Sequence, residues 1–160
     1  MSGIAIDAEC PRIYEELKLG KKHRFIIFRM DSAYRKVVVE TVGDRDANYN
    51  DFVSKMPEND SRYAVFDFEF RSADGLRNKL LFVMWAPETS PVRSKMLYAS
   101  TKDSIKRSLQ GVAHEIQATD LAEIVWPFCI LTLGLRHRFE QIFVSASVFE
   151  CLYKRVVFSS

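Results

Sequence analysis

The pattern of apolar and polar positions divides the chain into short elements that change period several times. In Pro11–Leu19 (PRIYEELKL) Ile13, Tyr14 and Leu17 share one side, which predicts a short amphipathic helix closed by Gly20. Arg24–Met30 (RFIIFRM) and Lys36–Val42 (KVVVETV) are β-branched and aromatic runs separated by a turn-like DSAYR, which predicts a hairpin. Asn50–Met56 fits a short helix stopped by Pro57. Tyr63–Phe70 alternates, with Phe66, Phe68 and Phe70 on one face and Asp67 and Glu69 on the other, as in a half-exposed strand. Lys79–Ala86 (KLLFVMWA) is apolar almost throughout, as in a strand covered on both faces. Ser90 then reads as an N-cap with Pro91 at the first helical position, opening a long helix to Gly111. A last short strand spans Ala113–Thr119. Strands interleaved with helices predict an α+β fold, a mixed sheet between helices.

The long helix carries the most informative side-chain arrangement. At about 100° per residue, Tyr98, Ile105 and Leu109 form a narrow core stripe flanked by Leu97 and Thr101. Arg93, Met96, Asp103 and Arg107 fall opposite, with Lys95, Lys102 and Lys106 on a flank between the two. Charges on an outer face are ordinary. A flexible thioether among bases, aimed away from the core, is instead how adaptable protein contacts are built. Arg93 and Arg107 are suited to bonding a partner's carboxylates around it.

Composition narrows the classes. The chain has 160 residues, enough for one domain with a real core, and its 48% hydrophobic and 28% charged residues suit a soluble globular protein. A net charge of +2 supplies no global field for nucleic acid, so none is expected as a partner. Cys10, Cys129 and Cys151 lie far apart with no CxxC pair, which argues against a zinc framework and for thiols of a reducing compartment. The acidic start MSGIAIDAEC lacks the form of a signal peptide, and Val125–Leu135 is shorter than the roughly 20 apolar residues of a bilayer span. No catalytic constellation appears. Gly20–Lys22 is not a phosphate loop, and His114-Glu115 lacks the second histidine of a zinc protease. The sequence reads as a non-enzyme without a cofactor or metal. The basic run Lys18, Lys21, Lys22, His23, Arg24 suits an anionic lipid surface, a nuclear signal, or simply the positive end of a helix.

The segment VRSKMLYASTKD (Val92–Asp103) resembles the ADF/cofilin family of actin-depolymerising proteins. Matches run in order along the chain: SGI, LKLGKKHRFIIF, VVVETVG, RYAVFDFEF, RNKLLFVMWAPETSPVRSKM and EIQATD, together covering Ser2 to about Ile124. The resemblance implies the actin-depolymerising-factor homology fold, a mixed five-to-six-stranded sheet with helices on both faces. It implies a monomeric, cytoplasmic protein of the actin cytoskeleton, with the nucleus as a second location. It would bind actin monomers and filaments, preferably ADP-bound, and promote severing and depolymerisation. Position by position, the actin-binding surface resembles Ser2, Gly3, Ile4, Arg93, Lys95, Met96, Lys106 and Arg107. Arg77 and Lys79 resemble part of a filament-specific site. Ser2 resembles a regulated phosphorylation site, and Lys95, Lys106 and Arg107 resemble phosphoinositide contacts. A phosphoinositide-responsive peripheral membrane protein with weak actin activity is the alternative.

The last part of the chain departs from the family. Apolar residues make up 52 of the first 120 positions but 24 of the last 40, and only seven of those 40 are charged. Residues 1–124 are therefore expected to form the homology domain, and residues 125–160 an atypical apolar, poorly ordered tail. Pro127 interrupts any helix begun at Leu121. The abrupt loss of register reads as an altered splice, a retained intron or a frame change, with an evolved tail as the alternative.

Overall fold

The computed structural model describes residues 3–124, the side chains at 70–72 and 122 excepted. Ser2 and residues 125–160, on which several of the expectations above fall, lie outside the described residues. Among the described residues six strands and four helices follow in the order β1 (Ala5–Ile6), α1 (Glu9–Lys18), β2 (His23–Met30), β3 (Lys36–Asp44), α2 (Tyr49–Ser54), β4 (Arg62–Ser72), β5 (Gly75–Trp85), α3 (Val92–Ser108), β6 (His114–Ala118) and α4 (Leu121–Ile124). They form one sheet in the order β1-β3-β2-β4-β5-β6. The two outer pairs, β1 with β3 and β5 with β6, are parallel, and the rest are antiparallel. This is the mixed sheet that the sequence predicts.

Each face of the sheet carries its own core. On one, Ile26, Phe28, Tyr63, Val65, Phe82 and Met84 meet Tyr14 and Leu17 of α1 and Tyr98, Ile105 and Leu109 at α3. On the other, Phe25, Ile27, Phe66, Phe68, Leu81 and Val83 meet Tyr49, Phe52 and Val53 of α2 and Ile124 of α4. Burial on both faces explains why β2 and the middle of β5 are apolar in succession rather than alternating.

Several expectations change. β4 is not half-exposed: Asp67, placed on the polar face, is fully buried. Its carboxylate accepts from Arg45 (2.7 Å), Asn78 (3.0 Å) and Lys21 (3.3 Å), which offsets the cost of removing a charge from water. Helix α1 begins two residues before Pro11, which therefore sits in the first turn, where a missing N–H costs no helical bond. Its closing Gly20 is needed for proximity, because an added Cβ would lie 2.8 Å from the Glu16 carbonyl oxygen, while the left-handed residue is Lys21 at φ 51°. Ser90 does not cap α3. Pro91 occupies the N-cap position, and the Ser90 hydroxyl lies 3.0 Å from the Ser61 hydroxyl in a buried pair. The start of α2 carries a capping box, with Asn48 Oδ1 accepting from the Asp51 amide at 3.0 Å and Asp51 Oδ2 from the Asn48 amide at 2.9 Å. Strand β1 was not legible as an element: two residues are too few to show a period.

Candidate functional site: the outer face of α3

Helix α3 is held in one rotation about its axis. The Tyr98 hydroxyl accepts from the Met30 amide at 2.8 Å, and the Tyr63 hydroxyl donates to the Tyr98 carbonyl. Burial pushes the Tyr98 phenol up to about 12, so it stays protonated at neutral pH. Near the N-terminus the buried Ser94 donates its hydroxyl to Asp60 Oδ1 at 3.1 Å. These contacts leave the opposite side in water: Val92 is 68% exposed and Met96 67%, one turn apart, beside exposed Arg93. An apolar pair beside a cation is poorly placed for water and well placed for a protein partner.

The predicted residues separate along the helix. At its N-terminal end, β1 runs parallel to β3, and Ile4 and Ile6 pack against the core that contains Tyr98. This sets Gly3 and Ile4 on the sheet edge that α3 also touches. The Arg93 guanidinium lies 5.4 Å from the centre of the Tyr34 ring. Lys95 donates to the Glu88 carbonyl at 3.2 Å. Lys106 and Arg107 sit at the other end, about 20 Å along the axis. Arg107 donates back to the Asp103 carbonyl at 3.2 Å. Lys106 turns toward the sheet, where it and Lys102 share Glu115 of β6, with Lys102 at 2.8 Å. Glu115 raises the Lys106 pKa, and the two lysines hold the Glu115 carboxyl low despite its partial burial. Lys106 is thus already engaged with a carboxylate, whereas among the described residues none pairs with Arg93.

Arg77 and Lys79 occupy alternate positions of β5 and so share a face. Lys79 pairs in register with Phe68, which packs in the α2 core. The Arg77/Lys79 pair therefore looks out on the side of the sheet opposite α3. Arg77 bonds Asp74 at 2.9 Å, and Leu76 beside it is 69% exposed.

Four of the five residues of the basic run at the end of α1 are engaged within the fold, and Lys22 is exposed. Lys18 donates to the Gln110 carbonyl at 3.0 Å, and Lys21 reaches Asp67. His23 meets Glu16 at 3.1 Å, and Arg24 donates to the Arg45 and Asp67 carbonyls. Among the described residues no cluster of side chains could hold a metal ion. Three residues escaped the sequence reading: Val92, Leu76 and Tyr34. Val92 was legible as the i−4 neighbour of Met96. Leu76 and Tyr34 were not, because Leu76 is exposed by its place at the end of the β4–β5 hairpin and only the turn brings the Tyr34 ring against Arg93.

A mixed six-stranded sheet with helices on both faces, one of them long with an apolar-basic outer face, is the actin-depolymerising-factor homology fold that the resemblance implied. The family model of the cofilin/tropomyosin-type actin-binding proteins matches residues 3–128, and the chain belongs to this ADF/cofilin family. It is 53% identical over 124 residues to actophorin of Acanthamoeba castellanii, covering 78% of this chain and 90% of that protein. It is 50% identical over 127 residues to cofilin of Yarrowia lipolytica, covering 78% and 82% respectively. Among solved structures, Streptomyces griseoflavus cofilin superimposes with a TM-score of 0.77 at 38% identity, covering 83% of this chain and 98% of that one.

Proposed function

We propose that this chain is a non-enzymatic actin-binding protein that engages monomers and filaments and promotes filament severing and depolymerisation. The observation that carries the reading is the exposed Val92/Met96 pair with Arg93 and Lys95 beside it, on a helix whose rotation is pinned from below. Gly3 and Ile4 extend this surface along the sheet edge, and Ser2 precedes them. Phosphorylation of Ser2 would bring about −1.5 to −2 charges to the contact and oppose binding to an acidic partner. Arg77 and Lys79, facing the other way, are suited to a second actin subunit, the geometry that a filament-specific contact requires. Lys95 and Arg107 would meet phosphoinositide headgroups directly. Lys106 would do so only by leaving Glu115.

Severing follows from preference between states. A ligand shifts a filament toward a twisted geometry only by as much as it binds that geometry better than the relaxed one. The homology domain is taken as residues 1–124, and the protein as a monomer of the cytoplasm and actin cytoskeleton. The actin reading is preferred to the membrane one because Lys18, Lys21, His23 and Arg24 are engaged within the fold. The test is a titration of actin monomers with the Arg93→Ala/Lys95→Ala variant. A loss of about tenfold or more in affinity is expected, as for interface anchors, with the unfolding midpoint unchanged because both side chains reach solvent. Full affinity would remove the site.

A further inference from the structure

Arg93 flanks the exposed apolar pair, as Lys95 does, and it differs from the other cations of the helix in how it is held. Lys95 and Arg107 spend N–H groups on backbone carbonyls, and Lys102 and Lys106 spend theirs on Glu115. Among the described residues no carboxylate pairs with Arg93. Its neighbour is the Tyr34 ring, 5.4 Å away. A ring face attracts the guanidinium without consuming any of its N–H donors. The arrangement orders the side chain and leaves its hydrogen-bonding fork free for another molecule.

The ring is itself fixed in place. Tyr34 lies in the β2–β3 turn at φ 53°, a left-handed conformation that a tyrosine adopts only at a cost in energy. The turn over-determines it. The Tyr34 amide donates to the Asp31 carbonyl at 3.0 Å, and Asp31 Oδ1 accepts from the Arg35 amide at 2.7 Å and the Lys36 amide at 3.3 Å. The side chain also packs against the α1/α3 core. The same turn seats the N-terminal arm, since the Arg35 carbonyl accepts from the Ala5 amide at 3.0 Å. Strain retained in a turn that touches a binding surface is where function is to be sought.

We propose that Tyr34 is a positioning residue for actin binding, holding Arg93 through its ring face in the orientation that meets an acidic group on actin. The role rests on the reading of α3 as the actin surface. Holding a long, flexible side chain before contact lowers the ordering cost of association.

The experiment titrates actin monomers with the full chain, Tyr34→Phe, Tyr34→Asn, Arg93→Ala and the double variant Tyr34→Asn/Arg93→Ala. Asparagine tolerates the left-handed turn while removing the ring, and phenylalanine keeps the ring. Urea unfolding of each variant is measured in parallel. Tyr34→Asn should weaken binding about twofold to tenfold, the range of a cation–ring contact. Tyr34→Phe should stay within about twofold of the parent, and the double variant should be no weaker than Arg93→Ala alone. Three results overturn the inference while the site stands: full affinity in Tyr34→Asn, an equal loss in Tyr34→Phe, or a further loss in the double variant. Unchanged binding by Arg93→Ala overturns both the site and the role of Tyr34.

Discussion

The amide of Met30, the last residue of β2, donates to the hydroxyl of Tyr98 in the middle of α3 at 2.8 Å. One buried hydrogen bond between residues 68 positions apart thus joins the sheet to the helix that presents the candidate surface. It also sets which residues of that helix face water, because Met96 and Tyr98 lie about 200° apart around the axis.

Tyr98→Phe keeps the ring and removes the acceptor of the Met30 amide. A buried donor left without a partner costs about 1–3 kcal/mol. Urea unfolding should show a loss of stability in that range with an unchanged slope.

The two-thirds-exposed apolar pair offers a cleaner separation of binding from folding. Val92→Asn and Met96→Asn should each lower affinity for actin monomers severalfold, because each removes apolar area buried only in the complex. Thermal midpoints should stay close to the parent, since neither side chain is buried in the free chain. A fall in midpoint with no change in affinity would assign the pair to folding.

Gly43 lies beneath the Phe25 ring, where an added Cβ would come within 2.2 Å of Cε1. The two residues are paired across β2 and β3, and Phe25 belongs to the α2 core. Gly43→Ala should therefore displace the ring and cost about 1–3 kcal/mol of stability by overpacking. The combined variant Gly43→Ala/Phe25→Leu should recover part of that loss in urea unfolding.

Asp60 ties acid stability to the base of α3. Burial raises its pKa, but bonds from the Arg62 guanidinium, the Ser61 amide and the Ser94 hydroxyl outweigh this and hold it below its ordinary value of 3.8. A carboxyl depressed in the folded state contributes stability that is full above its unfolded pKa and is lost as pH falls through the folded one. Asp60→Asn should thus lower stability at pH 7 and flatten the decline as the pH falls below the ordinary carboxyl value of 3.8. Unfolding midpoints across that range check it. An unchanged slope would locate the acid sensitivity at other depressed carboxyls, such as Asp31 and Glu115.

The filament contact is expected to be weaker than the monomer contact. The resemblance to the family implies a final amphipathic helix whose pattern the sequence after Ile124 does not carry, while the α3 surface depends on residues before it. Filament co-sedimentation and severing should rise when residues 125–160 are replaced by a family-type terminal helix, with monomer affinity unchanged. Equal severing by the two chains would show that residues 125–160 serve in its place.

What the sequence determined by itself was local and periodic. The 3.6-residue period of Val92–Leu109 placed Tyr98 and Ile105 inward and Met96 outward, as the structure has them. The paired β-branched runs announced the β2–β3 hairpin, and the motif order announced the family. Such features depend on neighbours within about a turn, so they survive without knowledge of the rest of the chain. The tertiary structure alone decided the rest. Alternation in β4 marked Asp67 as one of a polar pair, yet nothing local could show that Lys21, Arg45 and Asn78 would enclose it in the interior. Projection put Lys106 and Arg93 on one basic helix, but only the strand beyond α3 supplied Glu115 to the first and only a distant turn supplied Tyr34 to the second. A charge is free or committed according to what the fold brings within a few ångströms of it, and that distance is set by packing across the whole sheet rather than by spacing along the chain.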